Sequence, residues 1–249
     1  MSGLTYLVKT ELLLFARTPI SLFFTLIFPI LLIVIFGNIY GNIPVSMFND
    51  RGSIDVYTPC FLALIIATAT ISSLSIKISV DKKNGYLKLL KTTPLGGIWQ
   101  LAVCEFAWVS IVCIVSGILM IVTAWVLFDL NFYGSAIELI AVFIVGLLFF
   151  FSLGFMLAGL YKNARTAQSV SMVLFYPMIF LSGATIPIEM LPENLLVYSQ
   201  FIPLTPLVDA LKGVWMGQPI ENYSASLIQM LSLTIVFLVL TKYSFKWSE

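Results

Sequence analysis

Apolar residues fill this chain in long runs, with polar positions collected between the runs rather than alternating along them. The first stretch is the exception. Over residues 4–17, Leu4, Leu7, Val8, Leu12, Leu14 and Phe15 share one arc of a helix, with Lys9 and Arg17 opposite. Such a helix is too short and too polar to span a membrane, and is expected to lie along its surface. Glu11 interrupts the apolar arc. It reads either as an ordinary surface carboxylate or as the partner of a cation on a neighbouring element.

Six segments then reach the roughly 20 apolar residues that a crossing helix needs. They run Ile20 to Ile39, Val56 to Ser79, Ile98 to Phe128, Ala136 to Tyr161, Ala167 to Ile188, and Tyr223 to Tyr243. The third is overlong and is expected to tilt or project, while Pro29 and Pro177 should kink the first and fifth. Residues 189–218 are nearly as apolar as a span, through Ile202, Leu204, Leu207, Val208, Leu211 and Trp215. Prolines at 187, 192, 203, 206 and 219 break that stretch, which predicts short re-entrant outer helices sheltered by protein. The predicted fold is an all-α membrane protein: six transmembrane helices in a single domain, 1–249, with an N-terminal interfacial helix.

Composition agrees, with 60% hydrophobic residues, 10% charged residues and a mean hydropathy of +1.03. The first apolar run is long and lacks a small-residue cleavage pattern, so it is expected to stay in the mature protein. Charge sets the orientation. One set of loops and termini holds Lys9, Arg17, Lys77, Lys82, Lys83, Lys88, Lys91, Lys162, Arg165, Lys242 and Lys246, whereas the opposite set holds only Arg51 and Lys212. This asymmetry predicts a multi-pass protein of a bacterial cytoplasmic membrane with both termini inside, and six spans keep the alternation. The net charge of +1 gives no reason to expect a nucleic-acid partner.

Chemistry is sparse. Cys60, Cys104 and Cys113 sit inside apolar runs as small hydrophobes, and histidine is absent. No GxxxxGK[ST], HExxH, GxSxG or CxxC occurs, so no catalytic, cofactor or metal site is expected and the chain cannot hydrolyse ATP alone. Thr68, Ser72, Ser75 and Ser79 form a hydroxyl stripe on the second apolar segment, which either lines a substrate path or bonds back to its own carbonyls. Ser171, Phe175 and Met178 make a similar case on the fifth. Glu105 lies near one membrane surface, where a salt bridge to Lys77 or to a lysine of the following loop suits it better than proton relay.

The stretch from Asp81 to Gln100, DKKNGYLKLLKTTPLGGIWQ, carries a charged run through Gly85 into a short amphipathic stretch stopped before Pro94. Leu87, Leu89 and Leu90 give it an apolar side and Lys88 and Lys91 a polar one. A helix fitted to a partner's groove and a basic loop held on anionic lipid both answer to this pattern.

This stretch resembles the cytoplasmic loop of the type-two ABC transporter permease family, through Asp81, Gly85, Leu87, Leu89, Leu90, Thr93 and Pro94. Lys83 and Tyr86 depart from the family pattern. A second resemblance lies in Leu181-Ser182-Gly183, Pro187, Leu191-Pro192, and Pro203-Leu204-Thr205-Pro206-Leu207 with Asp209-Ala210-Leu211. It implies that the N-terminal helix and the helix near Gly85, with Tyr86, dock on cytosolic ATPase subunits. It also implies that Gly183, Pro187, Leu191, Pro192, Pro203 and Pro206 form an outer gate, and that the second and fifth spans border the central cavity. The expected partners are two ABC ATPase subunits, which hold the ATP and magnesium, a second permease copy or paralogue, and membrane lipid. The expected role is export of a hydrophobic or amphipathic small molecule, antibiotic or peptide. A polysaccharide or lipid-linked glycan is the alternative cargo. An ion-coupled secondary transporter would want inverted repeats and a buried ionisable pair, and an intramembrane enzyme would want catalytic groups that the chain lacks.

Overall fold

The computed structural model describes residues 3–45, 48, 50–93, 97–161, 163–188 and 191–245. Pro94, Lys162 and Lys246 lie outside these residues. Helix α1 (Gly3–Ala16) precedes α2 (Pro19–Tyr40). A two-residue antiparallel pair, β1 (Pro44–Val45) and β2 (Arg51–Gly52), leads into α3 (Ser53–Lys83). Then come α4 (Tyr86–Lys91), α5 (Ile98–Phe128), α6 (Ala136–Leu160) and α7 (Ala164–Leu181). Two short helices, α8 (Glu193–Ser199) and α9 (Thr205–Trp215), and a 3₁₀ turn (Ile220–Tyr223) lead to α10 (Ser224–Ser244).

Five helices among the described residues are long and apolar enough to cross a membrane: Pro19–Tyr40, Ser53–Lys83, Ile98–Phe128, Ala136–Leu160 and Ile220–Tyr243. The sixth predicted span is helical, but α7 has only 18 residues, with Arg165 and Gln168 in its first turns. It also ends at Leu181 rather than reaching Ile188. Gly183 takes φ +83, a left-handed conformation that ends a helix, and this stop precedes the expected one at Pro187. Pro177 lies inside α7, which continues through it.

Helix α3 is the axis of the bundle. Of its most apolar window 89% is buried, against 22% for α2 and 17% for the last span. It packs against α2, α5, α6, α7 and α9, so little of it is left for lipid. Close approach requires glycine at one point in particular. A Cβ placed on Gly154 of α6 would lie 2.4 Å from the Thr70 carbonyl oxygen of α3, and the Ser75 hydroxyl donates to the Gly154 carbonyl at 2.9 Å. Gly154→Ala should therefore part these two backbones and cost about 1 to 3 kcal/mol. Gly159→Ala, where the nearest neighbour is a Phe245 ring atom at 3.4 Å, should be tolerated. Thermal melting in detergent separates the two; equal melting temperatures would count against the tight α3–α6 seam.

Two helices widen into π turns, α2 at Phe23–Ile27 and α3 at Thr68–Leu74. In α2 the cause is Pro29, whose missing N–H cannot bond back to the Thr25 carbonyl. The widened segments meet, with Thr25 Oγ1 and Ser73 Oγ 3.2 Å apart and buried.

Candidate functional site

Polar side chains gather at the two ends of the bundle. At the end where α1, α4 and the C-terminal turns of α3 and α6 meet, Lys77 of α3 faces three carboxylates. Its Nζ lies 2.7 Å from Glu11 of α1, 3.2 Å from Asp81 one turn further along α3, and 2.5 Å from Glu105 of α5. Trp108 Nε1 donates to the other Glu105 oxygen at 2.5 Å. Glu11 is the sole buried residue of α1 and Glu105 is fully buried, so neither is an ordinary surface acid. Three acids of this type can ring a metal ion, but here the Lys77 ammonium supplies the positive charge.

Burial raises the Glu11 carboxyl to about 7 from its ordinary 4.5, outweighing the pull of Lys77. The docked helix thus holds the proton more tightly than a free one. Its stabilisation is complete below pH about 4.5 and is lost as pH rises through about 7. Protection of α1 amides from hydrogen exchange should fall between pH 5 and pH 8, by on the order of 2 kcal/mol. Glu11→Gln should flatten that slope, and an unchanged slope would remove Glu11 as its origin.

Beside this cluster, Lys82 reaches the free carbonyls at the end of α6, donating to Ala158 at 2.6 Å and Gly159 at 3.1 Å, with its ammonium 4.8 Å from the Phe245 ring. The turn after α3 depends on Gly85 at φ +75, where a side chain would be strained. Helix α4 follows, and its three leucines do not share one face. Leu87 is fully buried and Leu90 nearly so, both in the protein's own core, whereas Leu89 is 67% exposed between Lys88 and Lys91. The expected single apolar side is therefore divided, because a six-residue helix lying on the bundle must spend its inner positions on its own support. Tyr86 is half-buried, and Thr93 closes the helix by donating to the Leu90 carbonyl.

The hydroxyl stripe of α3 faces inward. Thr68 donates to Leu64, Ser75 to Gly154 and Ser79 to Ser75, all buried, and Ser72 is half-buried. On α7, Ser171 and Met178 are buried and Phe175 half-buried, while Met172, Val173, Tyr176 and Phe180 face outward.

At the other end, Pro192 caps α8 and Pro206 sits in the first turn of α9. Leu191 and Pro203 are half-buried, and a Cβ on Gly183 would meet the Ile188 side chain at 2.8 Å. Helix α9 is embedded: Leu207, Val208, Leu211, Val214 and Trp215 are buried against α3 and α6. Gly146 makes room for Leu207, since a Cβ there would come within 2.4 Å of its methyl.

Asp55 is a residue of this end that sequence reasoning missed. It is 1% exposed, accepting from Asn42 Nδ2 and the Asn131 amide at 2.9 Å each and from the Tyr133 hydroxyl at 3.1 Å. The loop it holds is tied to α9, because Trp215 Nε1 donates to the Asn131 carbonyl and the Tyr133 amide to the Trp215 carbonyl. No motif marks these residues; the one available signal is an aspartate in the first turn of a helix.

The sequence matches the ABC-2 type transporter family over residues 3–216. It is 29% identical over 149 residues to nodulation protein J of Rhizobium leguminosarum bv. viciae, a match that covers 57% of this chain and 55% of that protein. It is 23% identical over 217 residues to the putative transport permease ycf38 of Cyanophora paradoxa, covering 84% of this chain and 72% of that protein. The ycf38 protein of Pyropia yezoensis is also 23% identical, over 209 residues. The chain spans about half the length of the first of these relatives.

Proposed function

The chain belongs to the ABC-2 type transporter family, a family of membrane transport components, and from that premise we propose that it is the non-catalytic permease subunit of an ATP-driven exporter. The observation that carries this reading is the outward Leu89 of α4, flanked by Lys88 and Lys91 and mounted beside the α1 cluster. An exposed leucine ringed by cations suits a groove in a partner, and a chain without a phosphate-binding loop needs one. Two cytosolic ATPase subunits, carrying ATP and magnesium, fill that role. The α4 helix is the coupling element, with Asp81, Gly85, Tyr86, Leu87, Leu89, Leu90, Thr93 and Pro94 as its residues.

Both termini are cytoplasmic in this reading, α7 is the sixth crossing, and α8 and α9 are the re-entrant outer gate with Gly183, Pro187, Leu191, Pro192, Pro203 and Pro206. A second permease or paralogue covers α7, whose outward face mixes Gln168, Ser169 and Tyr176 with apolar residues and so fits protein better than lipid. Of the candidate pathway residues, Ser72 and Phe175 are half-buried and border the path in this reading, with Thr68, Ser75, Ser171 and Met178 packed behind them within the chain. The cargo is a hydrophobic or amphipathic small molecule, antibiotic or peptide, with a polysaccharide or lipid-linked glycan as the alternative.

Purification from the native host should bring a Walker-containing ATPase with the chain, and reconstituted complex should show ATPase stimulation by the true cargo. Single cysteines on a cysteine-free background should label from outside with an impermeant maleimide at Gln218, and from inside at Asn84 and Asn163. Outside labelling of Asn84 would overturn the orientation and the ATPase docking with it.

A further inference from the structure

Helix α1 does not close fully against the bundle. Between α1 and the facing parts of α2, α3 and α5 lies an open cavity of about 400 Å³, a volume in the usual range for small-ligand sites. Its walls are apolar, from Phe15, Ile76, Val80 and Trp108, and its polar groups carry both signs of charge. Glu11, Asp81 and Lys77 stand on one side of it, and Arg17 and Thr18 at the start of α2. The cavity thus runs from the charged end of the bundle toward the apolar interior, where Ser21 and Ser73 border it.

We propose that this cavity binds one aminophospholipid, with the primary ammonium at Glu11 and Asp81, the phosphate toward Arg17, and the upper acyl chain along Phe15, Ile76 and Val80. This goes beyond the transport role and does not depend on which cargo is carried. The charge arrangement selects the headgroup. Lys77 alone faces three carboxylates, so the ionised cluster is two positive charges short. Glu11 and Asp81 both line the cavity and give its wall carboxylate character. A primary ammonium brings three donors and supplies one of those two charges. A glycerol headgroup brings no cation, and a trimethylammonium brings a cation without donors. The position under an amphipathic surface helix places the site where a lipid of that leaflet enters sideways, headgroup level with Arg17 and Asp81.

The test uses the full chain, purified in detergent, stripped of lipid and titrated with phosphatidylethanolamine, phosphatidylglycerol or phosphatidylcholine, with bound lipid counted by native mass spectrometry. Phosphatidylethanolamine should bind about fivefold tighter than either of the others, as one partly exposed charge contact supports. Asp81→Asn should remove that preference, Arg17→Gln should weaken all three lipids alike because each carries the phosphate, and Ser21→Phe, which fills the cavity, should abolish the specific adduct. Because Asp81→Asn alters the Lys77 cluster and can loosen the fold, a second readout uses the unaltered side chains: dibrominated phosphatidylethanolamine should quench the fluorescence that Trp108→Phe removes. Equal binding of the three lipids would overturn the proposal, as would quenching that leaves Trp108 untouched. Competition by soluble phosphoethanolamine as strong as by the lipid would overturn it in favour of a soluble amine ligand.

Discussion

Replacing Lys77 by methionine should destabilise the protein by about 3 to 5 kcal/mol, the usual cost of stranding buried carboxylates without their counter-ion. The methionine stem fills nearly the same volume, so the loss is electrostatic rather than steric. Three acids then face one another, with Glu11 and Glu105 almost wholly buried and Asp81 beside them. Glu11, whose carboxyl burial already raises to about 7, must take up a proton to remain in place. The destabilisation should consequently be largest at pH 8 and shrink toward pH 5, where protonation is cheap. The double variant Lys77→Met with Glu105→Gln should recover part of the loss at pH 8, since it deletes the most buried of the orphaned charges. Melting curves of single and double variants at both pH values would decide the matter. A loss for Lys77→Met that is the same at pH 5 and pH 8 would show that packing, not charge, is what Lys77 contributes.

Truncating Leu87 and truncating Leu89 should produce two different defects in a helix only six residues long. Leu87 is fully buried in the bundle, so Leu87→Ala should cost about 2 to 5 kcal/mol of stability through the lost apolar area and the cavity left behind. Leu89 is 67% exposed, so Leu89→Ala should leave melting within about 0.5 kcal/mol of the original. If α4 docks on an ATPase, Leu89→Ala should instead weaken that complex by about 1 to 3 kcal/mol, whereas Lys88→Ala and Lys91→Ala should cost under about 1 kcal/mol. Melting, ATPase co-purification and substrate-stimulated hydrolysis measured on the same preparations separate these effects. Normal co-purification and transport with Leu89→Ala, together with failure of both lysine variants, would assign α4 to an anionic lipid surface, where each cation contributes about 1 kcal/mol.

The two ends of the molecule also differ in how they are held. On the α1 side the contacts are ionic and centre on one ammonium, so they respond to pH and to the charge of whatever binds there. On the α9 side they are neutral or singly charged hydrogen bonds around Asp55, together with close helix packing over Gly146 and around Gly213. An ionic end and a firmly stitched opposite end fit the proposed transport between two states, because ionic contacts are easier to rearrange than interlocked side chains.

Much of this architecture is written in the chain itself. Runs of about 20 apolar residues have no stable place in water, and so α2, α3, α5, α6 and α10 were legible from length and hydropathy alone. The helical nature of α1, the short helix after Gly85 and the broken stretch that becomes α8 and α9 followed from local rules for periodicity, glycine and proline. Pairing of Glu105 with Lys77 was foreseeable too, since a carboxylate near the end of an apolar helix must find a cation. Other features depend on which helices become neighbours, and no local pattern encodes that. Tertiary packing decided that α3 is the buried axis, that Glu11 joins Glu105 and Asp81 on the same ammonium, and that Leu87 and Leu90 turn inward while Leu89 stays out. It likewise decided that Asp55 gathers Asn42, Asn131 and Tyr133, residues up to 91 positions apart in the chain (133 − 42). The physical reason is common to all of these. A side chain's preference for burial or charge pairing is fixed by its chemistry, but the surface that satisfies it is supplied by a helix distant in sequence.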